Sequence, residues 1–259
     1  LLEGQHLEQF GESKNIVYEI KGKKLFRNVF LLKLNKKEEL EEETSMSFTL
    51  KNILERKPGR TASKPLSLIN YRDVYLLPIR REAGKTLTTY LSTGANPEPY
   101  LTRIVEGLAA MHALVPRDLT PKEEVGGQLL PKRENVKNYL AAKLPPIQLD
   151  PELKKIILDH YTPLSKSLEN ALYVNNRDSH TDNWYITETG IVVALDCENT
   201  RLVPQTHDLA LLLNFSTHFT ERQKDAYLEK YIKEFNTINK EKITDPTIFK
   251  LEYYNSMLH

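Results

Sequence analysis

The sequence predicts an α+β fold in two lobes, a small lobe built mainly on an antiparallel sheet and a larger, mostly helical one. Short runs of β-forming residues separated by turns fill most of residues 1–79, around a single helical stretch. From residue 80 onward, apolar residues recur mainly at helical spacing. One β-hairpin, at residues 184–195, interrupts the helical part. We therefore divide the chain into lobes of residues 1–79 and 80–259.

Composition excludes several classes of protein. The 259 residues, 40% of them hydrophobic, suffice for one large domain or two small lobes with a proper core. A net charge of +1 argues against polyanion binding through bulk charge, so we expect no nucleic-acid partner. No apolar run approaches ~18 residues and no signal peptide is visible, so we expect no membrane partner and a cytoplasmic location. The single cysteine, Cys197, excludes an internal disulfide framework and is expected to be a small buried hydrophobe.

The first lobe is expected to alternate strands with one helix. Pro78 cannot donate a backbone hydrogen bond, so its strand should end there or lie at a sheet edge. The expected elements are strands at 16–20 and 29–34, a helix at 38–54, a loop at 57–64, and strands at 66–69 and 74–79 around a turn at 70–73.

A lysine and a glutamate in this lobe are expected to pair. Glu43 falls on the apolar stripe of the helix that includes Met46 and Leu50, and a carboxylate on a buried face needs a partner. Lys33 interrupts an otherwise apolar strand and is the natural partner. Glu42 is the alternative if the helix register slips by one residue.

The functional prediction starts from the hairpin. Residues 184–187 and 191–195 are β-forming runs joined by a three-residue loop that contains a glycine. Asn183 precedes the first strand and Asp196 follows the second, so strand pairing should bring their backbones to roughly 5 Å. An amide and a carboxylate there can bind a hard cation through oxygen. Asp178 lies on the loop leading in, where it could orient a hydroxyl, which is the layout of a phosphoryl-transfer site.

Three sequence blocks resemble the aminoglycoside phosphotransferase and choline kinase-like family, which has a protein kinase-like fold. The family's usual forms are H-G-D-x-H-x-x-N, I-D-x-E and D-L-A. The sequence departs from them in carrying Asn176-Arg177 where His-Gly is usual. The matching blocks are Asp178-x-His180-x-x-Asn183, Leu195-Asp196-x-Glu198 and Asp208-Leu209-Ala210.

The resemblance implies an ATP- and Mg²⁺-dependent phosphotransferase that moves the γ-phosphate to a hydroxyl group of a small molecule. In it Asp178 is catalytic, Asn183 and Asp196 bind the metal, and His180 stiffens the loop by hydrogen bonding. For Asp208 two interpretations stay open, a brace for the catalytic loop and a simple acid at a helix N-terminus.

The resemblance also implies a set of nucleotide-binding residues in the first lobe. A loop before the first strand resembles the family's G-x-S-x-N phosphate loop, and 77–82 should be the hinge, with backbone groups free to contact an adenine edge. Residues 83–87 resemble the G-x-T/S-L that follows the hinge. The expected nucleotide-binding residues are Gly11, Ser13, Lys33 (positioned by Glu43), Leu77 and Ile79.

The second lobe should be built of amphipathic helices. His112 lies on the apolar face of the first of them and is expected to be a packed core histidine. The long segment 115–151 is expected to help form the acceptor pocket, as such insertions do in the family. Expected helices are at 101–112, 135–144, 152–168, from Asp208 onward, at 220–236 and at 248–257.

Two alternatives remain at this stage. A catalytically silent kinase-like binding module is motivated by Asn176-Arg177 and by the lone glycine, Gly11, in the phosphate loop. A protein kinase is the other. Against it, only 11 residues separate Asp196 from Asp208, and neither D-F-G nor A-P-E is present to build a peptide platform.

Overall fold

The computed structural model describes most of the chain, with gaps. The predicted phosphate loop with Gly11 and Ser13, the segment 115–150 and the predicted helix 152–168, apart from position 155, lie outside the described residues. The described ranges are 7–9, 16–20, 29–71, 74–81, 83–114, 172–176, 178–197, 201–214, 218–240 and 242–256, together with positions 151 and 155.

Six strands of the first lobe form an antiparallel sheet, as predicted. Their order is β1-β2-β3-β7-β5, with β6 pairing on β7 beside β5. The strands are β1 (Leu7–Gln9), β2 (Ile16–Ile20), β3 (Val29–Asn35), β5 (Lys64–Pro65), β6 (Ile69–Tyr71) and β7 (Val74–Arg81).

The sheet departs from the sequence prediction at Pro78, which lies inside β7 opposite Leu32 of β3 rather than at a strand end or edge. The carbonyl of Pro78 accepts from the Leu66 N–H at 2.8 Å, so it points toward the β5–β6 side. A strand residue directs its N and its C=O to the same side. The missing donor therefore faces the break between β5 and β6, and the ladder with β3 keeps its bonds. The predicted strand 66–69 is accordingly broken, since 66–68 lie outside both strands.

The helix of the first lobe, α1 (Lys37–Leu54), packs beside this sheet. Its buried residues have neighbours three or four positions along the helix, which places them on one face. Glu43 is among them, at the position where the sequence pattern placed it. The buried stripe comprises Leu40, Glu43, Met46, Ser47, Leu50, Ile53 and Leu54.

A second sheet joins the two lobes. Its order is β4-β11-β10-β8, and β4, which lies in the segment predicted as a loop, pairs in parallel with β11. A parallel partner 132 positions away leaves no local signal, so the loop prediction was wrong there. The strands are β4 (Arg60–Ala62), β8 (Gly84–Thr86), β10 (Trp184–Thr187) and β11 (Val192–Ala194).

The second lobe is mostly helical, as predicted. Among the described residues, no helix is long and apolar enough to cross a membrane. Two further strands, β9 (Leu172–Asn175) and β12 (Arg201–Pro204), pair with each other in antiparallel orientation. The described helices are α2 (Leu87–Ser92), α3 (Glu98–Leu114), α4 (Thr206–Asn214), α5 (Glu221–Ile238) and α6 (Pro246–Ser256).

The core of this lobe continues up to the hairpin. α3 and α5 pack along each other, and the rings of Tyr231, Phe235 and Phe249 stack at centroid distances of 5.5–5.9 Å. Trp184, which opens β10, is fully buried in the same cluster as α1, α3 and α4 residues. The hairpin is thus anchored in the main core, which fixes the loop that precedes it.

Gly84 is the tightest point between β8 and β10. A Cβ at this position would lie 2.1 Å from the Ile186 carbonyl oxygen, which is backbone and cannot rotate away. We expect Gly84→Ala to lower the free energy of unfolding by about 1–3 kcal/mol, since β8 would have to move off its partner. Lys85→Ala, at the exposed next position, should change it by about 0.5 kcal/mol or less. Equal urea midpoints for the two variants would contradict the close approach.

Candidate active site

The hairpin places Asn183 and Asp196 side by side, as the sequence predicted. The backbone N–H of Leu195 donates to the Asn183 carbonyl at 2.9 Å, one residue before Asp196. Gly190, at φ +78°, closes the three-residue loop at the other end of the hairpin. Asn183 itself ends a short 3-10 turn, Thr181–Asn183, in which its N–H donates to the His180 carbonyl at 3.0 Å.

Asp178 and Asn183 contact each other through the backbone of one and the side chain of the other. Asn183 Nδ2 donates to the Asp178 carbonyl at 2.7 Å. Because the amide nitrogen is engaged there, Oδ1 is the atom of Asn183 that remains to meet a cation. The Asp178 carboxylate takes no part in that bond, and its side chain is one-third exposed, so it is open to a substrate.

Lys33 connects the two lobes at the site. Its Nζ lies 3.0 Å from Glu43 Oε2, so the predicted pairing is present. The same Nζ donates to Asp196 Oδ1 at 2.5 Å. Lys33 and Glu43 side chains are 5% and 1% exposed, whereas Asp196 is 33% exposed. Two buried opposite charges thus hold each other in place, and Lys33 extends that pair to a carboxylate that solvent and ligands can reach.

Asp196 has an unusual backbone conformation. Its φ of +55° is the one positive value among the described non-glycine residues. Asp tolerates the left-handed region better than most residues, but the conformation still requires support from its surroundings. Strain of this kind concentrates at functional sites, and here it turns the carboxylate back toward Lys33 immediately after β11.

A buried network supports the start of the loop that carries Asp178 and Asn183. Asp208 Oδ2 accepts from the Asn176 backbone N–H at 2.8 Å and lies 3.2 Å from His112 Nε2. His112 Nδ1 lies 2.6 Å from the Tyr231 hydroxyl. Asp208 therefore combines both interpretations left open by the sequence, since it sits in the first turn of α4 and also contacts the loop. His112 is a buried core histidine, as predicted.

His180 contacts Asp178 from within the loop. Its Nε2 lies 3.3 Å from Asp178 Oδ1, and its Nδ1 accepts from the Asp182 N–H at 3.2 Å. With Nδ1 accepting, the ring proton is on Nε2 and is directed to the carboxylate. The hydrogen bond to Asp178 raises the pKa of His180 above its ordinary value, against partial burial, which lowers it.

Leu77 and Ile79 lie within β7, and their side chains are buried against Leu40 of α1. Leu77 is directly opposite Lys33 across the ladder, so it is on the same face of the sheet. Because β7 continues to Arg81, the backbone of 77–81 is paired in the sheet rather than free, and the link to β8 is shorter than the predicted hinge.

Cys197 follows Asp196 and is fully buried, as the sequence analysis expected. Burial, together with the nearby carboxylate of Glu43, raises the pKa of its thiol to about 12. A thiol in that state is not a nucleophile at neutral pH.

Several contacts that support the site were not predicted from the sequence. Thr88 Oγ1 and Thr181 Oγ1 lie 2.6 Å apart and connect α2 to the 3-10 turn. The side chain of Asn176 donates to the Leu195 carbonyl. Each contact joins residues 19 or more positions apart, and the polar side chains involved fit no local motif. The Lys33–Asp196 contact was also missed, although the phosphate-pairing role given to Lys33 placed both side chains near one ligand.

The pairing of Lys33 with Glu43 can be measured against a neighbouring exposed pair. Lys33→Met should lower the free energy of unfolding by about 3 kcal/mol, because the buried Glu43 then loses its cation. Glu43→Gln should lower it by less, because Lys33 keeps its contact with Asp196. The double-mutant cycle should give a coupling of about 1–3 kcal/mol. Lys37 and Glu41 on the same helix, 3.6 Å apart but 47% and 55% exposed, should couple by about 0.5 kcal/mol or less. Additive effects at Lys33 and Glu43 would show that the two charges do not support each other.

The His180–Asp178 contact should make stability depend on pH. A histidine with a raised folded-state pKa contributes stability that is fully present below its unfolded pKa and lost as pH rises through the folded value. The melting-temperature difference between wild type and His180→Gln should therefore be largest near pH 6 or below and shrink toward pH 8–9. In an Asp178→Asn background the pH dependence should be reduced. A difference that grows with pH would contradict the contact.

Comparisons with known proteins place the chain in a family. Residues 10–241, most of the chain, match the model of the APH phosphotransferase enzyme family. No curated protein sequence matches significantly. Among solved structures, Plasmodium vivax ethanolamine kinase superposes with a TM-score of 0.60 at 13% identity, over 99% of this chain and 72% of that one.

Two other solved structures agree. Choline kinase LicA from Streptococcus pneumoniae gives a TM-score of 0.57 at 16% identity, over 99% of this chain and 84% of that one. A GDP complex of a mutant aminoglycoside 2'-phosphotransferase-IIIa gives 0.67 at 13% identity, over 97% and 81%. At such identities the superpositions show the fold, and they confirm the predicted two-lobed, protein kinase-like architecture. The chain belongs to the phosphotransferase enzyme family and is a phosphotransferase with a protein kinase-like fold.

Proposed function

We propose that the protein transfers the γ-phosphoryl group of ATP, bound with Mg²⁺, to a hydroxyl group of a small molecule. The observation that carries the proposal is the convergence of three elements on one point. Lys33 from the first lobe contacts Asp196, and Asp196 lies one residue beyond the Leu195–Asn183 backbone bond. Asp178 provides the carbonyl that holds Asn183. The ammonium group of Lys33, the two oxygen ligands Asn183 and Asp196, and the partly exposed carboxylate of Asp178 are the parts that phosphoryl transfer requires.

The donor set fits Mg²⁺. Asp196 offers a carboxylate that is partly exposed, and the engaged nitrogen of Asn183 leaves its oxygen for the ion. Among the described residues, no group of three His, Cys, Asp or Glu side chains is arranged around one point. Mg²⁺ is usually held by one or two protein oxygens, water and the substrate's phosphates. When bound, the ion would neutralise charge on the transferred phosphoryl group.

In this proposal the contact between Lys33 and Asp196 lengthens when nucleotide binds, and Lys33 pairs with the nucleotide's phosphates. Glu43 would keep the ammonium group in position, because both side chains of the pair are buried. Leu77 and Ile79 would form the apolar wall against the adenine, with residues 1–79 as the nucleotide-covering lobe and 80–259 as the lobe that carries the hairpin and the acceptor-binding helices. Gly11 and Ser13 remain predicted phosphate contacts.

Asp178 would orient the acceptor hydroxyl and accept its proton. The His180 Nε2–H directed at Asp178 Oδ1 would orient the carboxylate for the acceptor. Asp208 and His112 support the loop from the core without reaching the reacting atoms. A small hydroxylated acceptor is favoured because four of the nine residues that connect Asp196 to α4 form β12, which is paired with β9 and is not available as a peptide platform.

The assignment of Asp178 is tested by Asp178→Asn. We expect kcat to fall by roughly 10²-fold or more, since the carboxylate that orients or deprotonates the acceptor is lost. Stability should stay close to wild type, because the Asp178 carbonyl that holds Asn183 is retained. Asp182→Asn is the matched control, an exposed aspartate of the same loop that should keep most of its activity. Full activity of Asp178→Asn in a coupled ADP-release assay would refute the role.

The acceptor class is tested by measuring ADP release with a panel of sugars, amino alcohols, nucleosides and aminoglycosides. We expect at least one of them to stimulate turnover over the rate with water as acceptor. The comparison arm is a generic protein substrate. Robust phosphorylation of that protein, with no response to any small molecule, would overturn the proposal in favour of a protein kinase.

A further inference from the structure

Asn176 is a buried polar residue in an unusual situation. It directly follows β9 and begins the catalytic loop, and it is 1% exposed. Its backbone N–H donates to Asp208 at 2.8 Å, and its side-chain Nδ2 donates to the Leu195 carbonyl at 3.4 Å. Its Oδ1 is buried and has no hydrogen-bond partner among the described residues.

The Leu195 carbonyl is a sensitive place for such a contact. It belongs to the peptide plane that links Leu195 to Asp196, and the φ angle of Asp196 is the rotation of that residue relative to this plane. The plane before it is already fixed, because the Leu195 N–H donates to Asn183. Because the Asn176 amide donates to the Leu195 carbonyl, the peptide plane between Leu195 and Asp196 is held as well. This is the plane against which the left-handed φ of Asp196, +55°, is measured.

The unpartnered oxygen argues that Asn176 is not there for stability. A buried acceptor without a partner is unfavourable, and a single long hydrogen bond at 3.4 Å is weak. An apolar side chain of the same size would avoid the unpaired oxygen and fill the same space. What the amide adds, and an apolar side chain lacks, is the N–H directed at Leu195.

We propose that Asn176 is a positioning residue for Asp196: its amide fixes the Leu195–Asp196 peptide plane and so keeps the Asp196 carboxylate beside Lys33, in the orientation that metal–nucleotide binding requires. The inference rests on the proposed function, in which Asp196 is a metal ligand. Asn176 touches neither nucleotide nor acceptor. It acts on Asp196 only through the backbone carbonyl of Leu195.

The test compares Asn176→Leu, which removes the donor and the unpartnered oxygen together, with Asn176→His, which restores a ring N–H donor. Affinity for a non-hydrolysable ATP analogue is measured by calorimetry with Mg²⁺ and again with EDTA, and thermal stability is followed in parallel. For Asn176→Leu we expect about three- to tenfold weaker binding with Mg²⁺, as for the loss of one hydrogen bond, binding within about twofold of wild type in EDTA, and an equal or higher melting temperature. Asn176→His should return Mg²⁺-dependent binding to within about twofold of wild type.

Asp196→Asn, measured in the same way, separates this inference from the proposed function. Weaker Mg²⁺-dependent binding in Asp196→Asn but not in Asn176→Leu overturns the inference and leaves the proposed metal site standing. No effect in either variant overturns the metal site, and the inference with it. An equal loss with Mg²⁺ and EDTA, a lowered melting temperature for Asn176→Leu, or no recovery in Asn176→His also overturns the inference, because each indicates a merely structural role.

Discussion

The ammonium group of Lys33 lies between two carboxylates, and the arrangement of the site depends on that contact. Glu43 is buried on α1 and Asp196 ends the hairpin, so one cation ties the helix and sheet of the first lobe to the loop of the second. A lysine so thoroughly removed from water is tolerable only with an acid beside it, and the same holds for Glu43. The two acids differ in exposure. Glu43 is enclosed in the core, whereas Asp196 is partly open to solvent.

Around this contact, each of three bonds that hold the Asp178–Asn183 loop uses at least one backbone group. The Asp178 carbonyl accepts from the Asn183 side chain, the Asn183 carbonyl accepts from the Leu195 N–H, and the Asp208 carboxylate accepts from the Asn176 N–H. The carboxylates of Asp178 and Asp196 take no part in these three bonds. The ring of His180, by contrast, contacts the Asp178 carboxylate directly. In Asp178 the backbone carbonyl holds the loop in place, whereas the carboxylate is the group proposed to react.

Features that depend on residues close together in the sequence could be predicted from local sequence patterns. The hairpin pairing follows from strand alternation and a glycine loop, and the burial of Glu43 follows from helical spacing, so both could be predicted from the residues alone. Three features depended on partners distant in sequence and could not. Pro78 is interior because its missing donor meets a break in the neighbouring strands, Arg60–Ala62 is a strand because it pairs with β11, and Lys33 meets Asp196 across 163 positions. The placement of Asp208 was only half determined, since its helix was visible and its contact with Asn176 was not.

The position of Trp184 determines what the intrinsic fluorescence of the protein reports. It is the single tryptophan of the sequence, it directly follows Asn183, and its indole N–H is buried without a hydrogen-bond partner among the described residues. Tryptophan emission from the whole protein therefore originates at one place, beside the proposed metal ligand, and from a dry environment. Fluorescence of the unmodified chain thus reports on the hairpin and not on an average over the molecule. Nucleotide and ion titrations can be followed optically without any label, at the position where the two lobes meet.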